Sequence, residues 1–426
     1  MKKFVRIVLV GVSVAILAGF ASCGAGGVRG GSQGVTESVI RVGNTAPTSG
    51  AFAMVGVPFN NGIRAYFQQV NQAGGVHGRM IEFINHDDGF DPVNGLAFTE
   101  TLIHDDRVFA IVGHFGTPTV GATLGMLREV GIPTVYFATG IGSLFSDDAF
   151  DNARGRNLFP VQAIYVTEGR VLVARAIEEY NARNIGVIFT SDEAGHDFVR
   201  GINYQLNMMD GDFRLVTEQV SPGQPDVSSA VLRMMNENVD VVIAGALQQT
   251  FITIINSLVI NGMNVPVFTT YINADPVVIM GFATDYLGIG ASFPIYSTQW
   301  VDIGLAEDNF TQAYWDYVYG ITAFGYPELA MNTFAMTGWI AGSTFVAGLR
   351  NTDPDNITWT SFIEAMENTL IDLPMAGVMD FSNGQRIGTT HLALARANVA
   401  QAVWEVVRPI EYLGAILERM GLAGNP

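Results

Sequence analysis

The sequence predicts an α/β protein built from two units in series. Short apolar segments of strand length alternate with longer segments in which apolar residues recur at helical spacing. This alternation indicates parallel sheets with helices on both faces. The chain has 426 residues, of which 49% are hydrophobic and 15% charged. At about 150 residues per domain, that length allows two or three packed domains.

The first unit opens with a strand at residues 39–43 and a helix at residues 58–72. Four apolar residues of that helix have the spacing of one buried face, namely Ile63, Tyr66, Phe67 and Val70. Two glycines then end the helix. The elements predicted to follow are strands at 80–85, 108–112 and 132–137 and helices at 92–105 and 118–129.

The second unit repeats this rhythm after residue 159. Its predicted helices cover residues 168–180, 198–209, 227–236 and 249–261, and its strands cover residues 185–190, 214–219, 239–246 and 265–270. Beyond residue 290 the pattern is less regular, with helices at 310–319, 330–349 and 359–368, a strand at 389–396 and a tail helix within 409–426. Many small residues in the 330–349 helix predict close packing against a neighbour.

The N-terminus has the order of a secretory signal peptide over residues 1–22. Basic residues precede an apolar run at 7–20, which is too short to span a bilayer as a helix, and small residues follow it. Cys23 lies at the expected cleavage point and resembles the acylated cysteine of a bacterial lipobox, although Phe20 replaces the usual leucine. We expect a periplasmic or cell-surface lipoprotein, with residues 23–38 as a flexible tether. The alternative is an ordinary cleaved signal with an incidental cysteine.

Composition excludes several chemistries. The two lysines, Lys2 and Lys3, both lie in the predicted signal peptide. The body therefore lacks the amine of a Schiff-base enzyme and the lysine of a phosphate-binding P-loop. A net charge of −18 is unsuited to nucleic-acid phosphates. We predict no cofactor, no nucleic-acid partner and no catalytic residue.

Two residue groups suggest chemistry but lack the required spacing. His86, His114 and the Asp87–Asp88 pair follow strands, yet they match no metal motif, so we predict no metal site. Ser191 and His196 invite comparison with a hydrolase, but the chain has no G-x-S-x-G nucleophile elbow.

Two loops at the carboxyl ends of neighbouring strands are the candidate ligand site, because ligands of open parallel sheets bind at that edge. The first loop leads into Thr117 and Pro118, which have the types of an N-cap and a first helical residue. Free amides at such a helix start attract an anion such as a carboxylate. The second loop, residues 138–143, carries glycines that let its backbone approach a ligand. The alternative for Thr117 is a plain helix cap.

The sequence from residue 43 resembles the leucine/isoleucine/valine-binding proteins of branched-chain amino acid ABC transporters. The resemblance is carried by a Ser49–Gly50 loop, by NQAGGVHG at 71–78, by the element D-D-x-x-D-P at 87–92, and by VGHFGTPT at 112–119 with the following GIPTVYFAT. It is dense over residues 38–145 and thin beyond residue 290.

This resemblance implies a type I periplasmic binding protein, with two Rossmann-like lobes joined by a hinge of crossing strands. Lobe one would comprise residues 39–160 plus 291–375, and lobe two residues 161–290 plus 376–408. The implied function is capture of a small amino-acid-like, amide or carboxylate ligand for a membrane permease and ATPase, by a monomer. A ligand-sensing module for a signalling receptor and, further away, an α/β hydrolase are the alternatives.

The resemblance also assigns candidate ligand contacts. In lobe one they are Thr117, Ala138, Thr139 and Gly140, with Val55 at a position where the family has an aromatic ring. In lobe two they are Ala194, Leu247 and Tyr271. Two further candidates come from the residues themselves, namely Gly116 in the loop before Thr117 and Tyr165, which with Trp300 could line an aromatic cleft. Tyr271 stands where the family places a glutamate against the ligand ammonium group, so either Asp192, Glu193 or Asp275 replaces that acid or the ligand is not an α-amino acid.

Overall fold

The computed structural model describes residues 33–145, 155–303 and 310–421 and confirms the α/β fold. Its strands are β1 Val39–Thr45, β2 Met80–His86, β3 Ala110–Phe115, β4 Thr134–Ala138, β5 Leu158–Phe159, β6 Asn184–Thr190, β7 Arg214–Val220, β8 Val241–Gly245, β9 Val267–Thr269, β10 Ile295–Gln299, β11 Ile371–Leu373, β12 Gly377–Met379, β13 His391–Asn398 and β14 Val403–Tyr412. Its helices are α1 Ala53–Gln72, α2 Pro92–His104, α3 Thr117–Val130, α4 Tyr165–Tyr180, α5 Glu193–Met208, α6 Ser228–Asn236, α7 Gln248–Ile260, α8 Pro276–Gly288, α9 Gln312–Ala323, α10 Thr333–Arg350, α11 Trp359–Glu367 and α12 Leu413–Arg419.

Lobe one is built on a parallel sheet in the order β2-β1-β3-β4-β5. Helices α1 and α10 pack against each other beside it with almost no space between their backbones. A Cβ at Gly338 would overlap the carbonyl oxygen of Phe59, and a Cβ at Gly62 would overlap that of Ala335. The small residues of α10 thus permit the close packing predicted from the sequence.

Lobe two is built on a mixed sheet in the order β14-β13-β10-β9-β8-β6-β7. Its central strands are buried on both faces, as is typical of parallel sheets. Val187 belongs to the hydrophobic cluster that continues into lobe one, whereas its neighbour Ile188 belongs to a second cluster on the opposite face.

Two lobe boundaries differ from the prediction. Strand β10 pairs in parallel with β9, so residues 295–299 lie in the sheet of lobe two and not in lobe one. Strand β12 pairs with β11, which packs on α10, and therefore stays with lobe one. The chain passes between the lobes before α4, after β10 and after β12. The first and third passages touch, because Thr389 N donates to Val161 O at 2.7 Å.

The C-terminal segment also differs from the predicted tail helix over 409–426. Strand β14 runs to Tyr412 because it pairs with β13 as a long antiparallel hairpin, and the helix that follows covers only Leu413–Arg419. The fully buried Arg175 of α4 forms ion pairs with Glu178 and with Glu411, which also holds Arg419. These ion pairs fasten the C-terminal segment to lobe two.

The N-terminal signal segment and Cys23 lie outside the described residues, but residues 33–38 of the predicted tether are ordered against lobe one. Gln33 Nε2 donates to the carbonyl oxygens of Ile103 and Val108 at 2.9 and 3.1 Å. Val35 forms an isolated antiparallel bridge to Ile40. Contacts with lobe one therefore reach back at least to residue 33. Within the described ranges, no helix is both long enough and apolar enough to cross a bilayer.

Candidate functional site

A cavity lies between the two lobes at the carboxyl edges of their parallel strands. It encloses about 1110 Å³ of space not filled by protein atoms, part of it open to solvent. Seven of the predicted contact residues line it: Val55, Gly116, Thr117 and Ala138 from lobe one, and Tyr165, Leu247 and Tyr271 from lobe two. Both loops singled out from the sequence thus reach the same cavity.

Helix α3 begins at the wall of this cavity, one residue earlier than the sequence suggested. Gly116, with φ of 94°, is the N-cap and Thr117 is the first helical residue. Glycine is required at this position, since φ is left-handed and a Cβ would lie 2.8 Å from the Phe90 ring. The first helical bond runs from Val120 N to Gly116 O at 2.9 Å, so the preceding amides have no partner within the helix.

Thr139 and Gly140 lie directly behind the cavity wall. The Thr139 hydroxyl oxygen is 2.8 Å from that of Thr117, and Gly140 O accepts from Tyr165 N at 2.6 Å. Burial raises the pKa of Tyr165 to about 12, while hydrogen bonds with Thr117 and Thr139 act against the rise. The phenol therefore keeps its proton at neutral pH and completes a cluster of three hydroxyls from both lobes.

The remaining predicted residues do not reach the cavity. Ala194 is buried in α5, and Asp192 caps that helix, where its Oδ1 accepts from Gly195 N at 3.0 Å. Asp275 caps α8 and accepts from Val277 N and Thr333 N, both at 2.9 Å. Each of these carboxylates is thus engaged by backbone amides elsewhere.

Tyr271 is also committed to other partners. Its hydroxyl donates to Ala163 O at 2.7 Å, and its amide donates to Glu168 Oε1 at 2.8 Å. Glu168 is fully buried and further accepts hydrogen bonds from the hydroxyls of Thr270 and Thr298. Burial, opposed by these hydrogen bonds, raises the pKa of Glu168 to about 7. Sequence reasoning gave this carboxyl no role.

Aromatic rings form much of the cavity wall, and its four phenylalanines, Phe52, Phe59, Phe90 and Phe115, were not predicted. Phe52 and Phe90 stack with ring centroids 3.8 Å apart, and Phe59 meets Phe115 edge-on at 5.2 Å. Trp300, on the passage after β10, also lines the cavity. The Phe52–Phe90 pair supplies the aromatic surface that Val55 lacks.

The two histidines that were considered as metal ligands have hydrogen-bond partners within the protein. Nε2 of His86 is 2.7 Å from Asp106, and Nε2 of His114 is 2.8 Å from the Thr123 hydroxyl. Complete burial lowers the pKa of His114 to about 3, so it is neutral. Within the described ranges, no group of three or more metal-ligating side chains is present.

Residues 39–402 match the sequence model of a periplasmic binding protein family. The chain belongs to that periplasmic binding protein family. An amino acid binding protein from Pseudomonas aeruginosa is 24% identical over 214 residues, which are 48% of this chain and 53% of that protein. The chain thus spans about half the length of the curated relatives that it matches.

Solved structures show the same fold. A fatty acid ABC transporter substrate-binding protein from Thermomonospora curvata superposes with a TM-score of 0.76 at 17% identity, covering 89% of this chain and 94% of that one. A branched chain amino acid ABC transporter protein from Thermus thermophilus with bound valine superposes with a TM-score of 0.75 at 13% identity, covering 90% and 99%. These similarities confirm the two-lobed fold implied by the sequence.

The lobes touch on two sides of the cavity. On one side Gly142 N donates to Asp197 Oδ2 at 2.5 Å and the Ser143 hydroxyl donates to Glu193 at 2.9 Å. On the other side Asp275 of lobe two accepts from Thr333 of lobe one. The acids proposed from the sequence as ligand partners include two, Glu193 and Asp275, that join the lobes instead.

Proposed function

We propose that this protein is the extracytoplasmic solute-binding component of an ABC transporter, which captures a small ligand with a carboxylate or amide end between its lobes. The observation that carries the proposal is the inter-lobe cavity, with the start of α3 and the Thr117 hydroxyl at one wall. A ligand that touches both lobes favours the closed state by its differential affinity.

The polar end of the ligand is proposed to lie against Thr117. Helix α3 contributes free amides and the positive end of its dipole, both of which favour an oxygen anion. Tyr165 contributes its phenol from the opposite lobe. The proposal assigns these groups to binding and orientation, with no catalytic step.

Relatives support a transport role. The Pseudomonas protein is described as binding amino acids, and the two solved structures come from fatty acid and branched chain amino acid transporters. We further propose that Cys23 carries a lipid that holds a monomeric protein at the outer face of the membrane, where it delivers ligand to the permease and ATPase.

A thermal-shift panel of amino acids, amides and short carboxylates tests the proposal. A ligand present at 100 times its Kd stabilises the native state by about 2.7 kcal/mol and raises the melting temperature. Thr117→Val removes one hydrogen bond and is expected to weaken the stabilising compound about tenfold. Thr322→Val, at an exposed position of α9, is the matched control. A panel in which nothing stabilises the protein argues against a solute-binding role.

A further inference from the structure

The cavity contains a second polar group that its two loops do not supply, the side chain of Gln162. This residue lies on the passage between β5 and α4, lines the cavity, and is 5% exposed. Its Oε1 accepts from the Tyr136 hydroxyl at 3.0 Å. Its Nε2 is buried and makes no hydrogen bond of normal geometry with any described residue, although the Gln162 side chain lies close enough to the Tyr271 hydroxyl to act against the rise in the pKa of that group.

An unpaired buried amide donor is costly, by about 1–3 kcal/mol, and is therefore rare in folded proteins. A ligand acceptor atom in the cavity would satisfy Gln162 Nε2. The donor is oriented from behind by Tyr136, which is fully buried in β4 and has φ of 64°. A left-handed backbone at an aromatic residue is strained, and such strain persists where the surrounding structure imposes it, often at binding sites.

The described cavity lining offers donors and apolar surface but no charged side chain. The nearby acids Glu168 and Asp275 are satisfied by backbone amides and hydroxyls. Tyr271, at the place where a partner for the ligand ammonium group was expected, donates its hydroxyl hydrogen bond to Ala163 O. An α-ammonium group in this cavity would be desolvated with no acidic side chain of the described lining to pair with it, which is unfavourable.

We propose that the ligand is an apolar monocarboxylate without an α-amino group, and that Gln162 Nε2 donates a hydrogen bond to its carboxylate. This inference rests on the proposed solute-binding function and narrows its ligand class. The rest of the ligand, an aryl or branched alkyl group, packs against the rings of Phe52, Phe90 and Trp300.

Calorimetric titration with matched pairs of compounds tests the ligand class. Hydrocinnamate and isocaproate are the des-amino analogues of L-phenylalanine and L-leucine, so each pair differs only at the ammonium group. We expect each acid to bind at least about tenfold more tightly than its amino acid. The carboxylate that both compounds share meets hydrogen-bond donors of the cavity wall, whereas the ammonium group of the amino acid meets no acidic side chain of the described lining. Amino acids that bind as tightly as their analogues overturn this inference and leave the solute-binding function intact. No heat and no thermal shift with any of the four compounds overturns the ligand class, and the broader panel above then decides whether the protein binds solutes at all.

Variants at Gln162 test the donor. Gln162→Leu removes it and is expected to weaken hydrocinnamate about tenfold. The isosteric Gln162→Glu places a carboxylate against the ligand carboxylate, so it should weaken hydrocinnamate further and narrow the gap to L-phenylalanine. Gln249→Glu, at an exposed position of α7, is the matched control and should change neither affinity. Circular dichroism checks that each variant is folded. Unchanged hydrocinnamate affinity in a folded Gln162→Glu protein refutes the assignment.

Discussion

Replacing Glu168 by glutamine is expected to stabilise the protein above neutral pH. Glu168 is buried among Thr270, Tyr271 and Thr298, and no cation pairs with it among its hydrogen-bond partners. Burial raises its pKa from 4.5 to about 7. Glutamine retains an acceptor for the Tyr271 amide and adds a donor that a threonine hydroxyl can accept, without an ionisable proton.

Proton linkage gives the sign and the size of the change in stability with pH. Between pH 4.5 and about 7 the native state holds a proton on Glu168 that the unfolded chain has released. The stability that Glu168 contributes through its raised pKa is therefore fully present below pH 4.5. It is lost as the pH rises through the pKa of Glu168 in the native state. At about 1.4 kcal/mol per pH unit, the loss over this interval is about 3 kcal/mol. The Glu168→Gln protein has no ionisable proton at this position, so its stability does not fall with pH for this reason.

The assay is urea unfolding of wild type and variant at a series of pH values from below 4.5 to above 7. The difference in free energy of unfolding, variant minus wild type, should rise by about 3 kcal/mol across the series. Glu129→Gln, at an exposed position of α3, should give a difference that is flat with pH. An equally flat difference for Glu168→Gln would refute the reasoning, because it would mean that Glu168 titrates alike in both states.

Two further predictions concern packing and attachment. Gly338→Ala should lower the free energy of unfolding by about 1–3 kcal/mol, since its Cβ overlaps the Phe59 carbonyl oxygen and α1 and α10 must move apart. Gly125→Ala, in open space on α3, should instead raise it by about 0.5–1 kcal/mol, and circular dichroism melts of both variants check the contrast. Cys23→Ser should release the protein from the membrane fraction of the cell, and fractionation unchanged by the substitution would contradict the lipid anchor.

The periodicity of the chain was sufficient to predict most elements before residue 270, but not α8, the strands β10, β11 and β12, or the assignment of elements to lobes. Strand β10 has the composition of any buried strand, and only its pairing with β9 places it in lobe two. Helix α1 begins at Ala53, five residues before Pro58, where a proline suggested the start. The chain can continue through Pro58 because tertiary packing of α1 against α10 outweighs the local preference.

Local signals in the sequence pointed to parts of the candidate site. Cap chemistry singled out Thr117, although the structure makes Gly116 the N-cap and Thr117 the first helical residue. The Asp275–Pro276 pair carries the equally local signature of an N-cap followed by proline, and Asp275 caps α8 in the structure. Phe90 and Gln162 had no such signal. Phe90 reaches the cavity through a left-handed backbone, with φ of 66°, and Gln162 through the hinge geometry, and both depend on the completed fold.

The hydrogen bonds of Gln33 tie the N-terminal segment to lobe one. Gln33 donates to Ile103 at the end of α2 and to Val108 in the loop that leads into β3, on the side of the sheet opposite the edge that faces the cavity. In the lipid-anchored binding protein that we propose, an attachment upstream of residue 33 would therefore hold lobe one, and lobe two would be the lobe that moves on closure. Lobe one would then keep a fixed orientation to the membrane whether or not ligand is bound. A membrane partner that contacts lobe two would distinguish the ligand-bound protein from the ligand-free one.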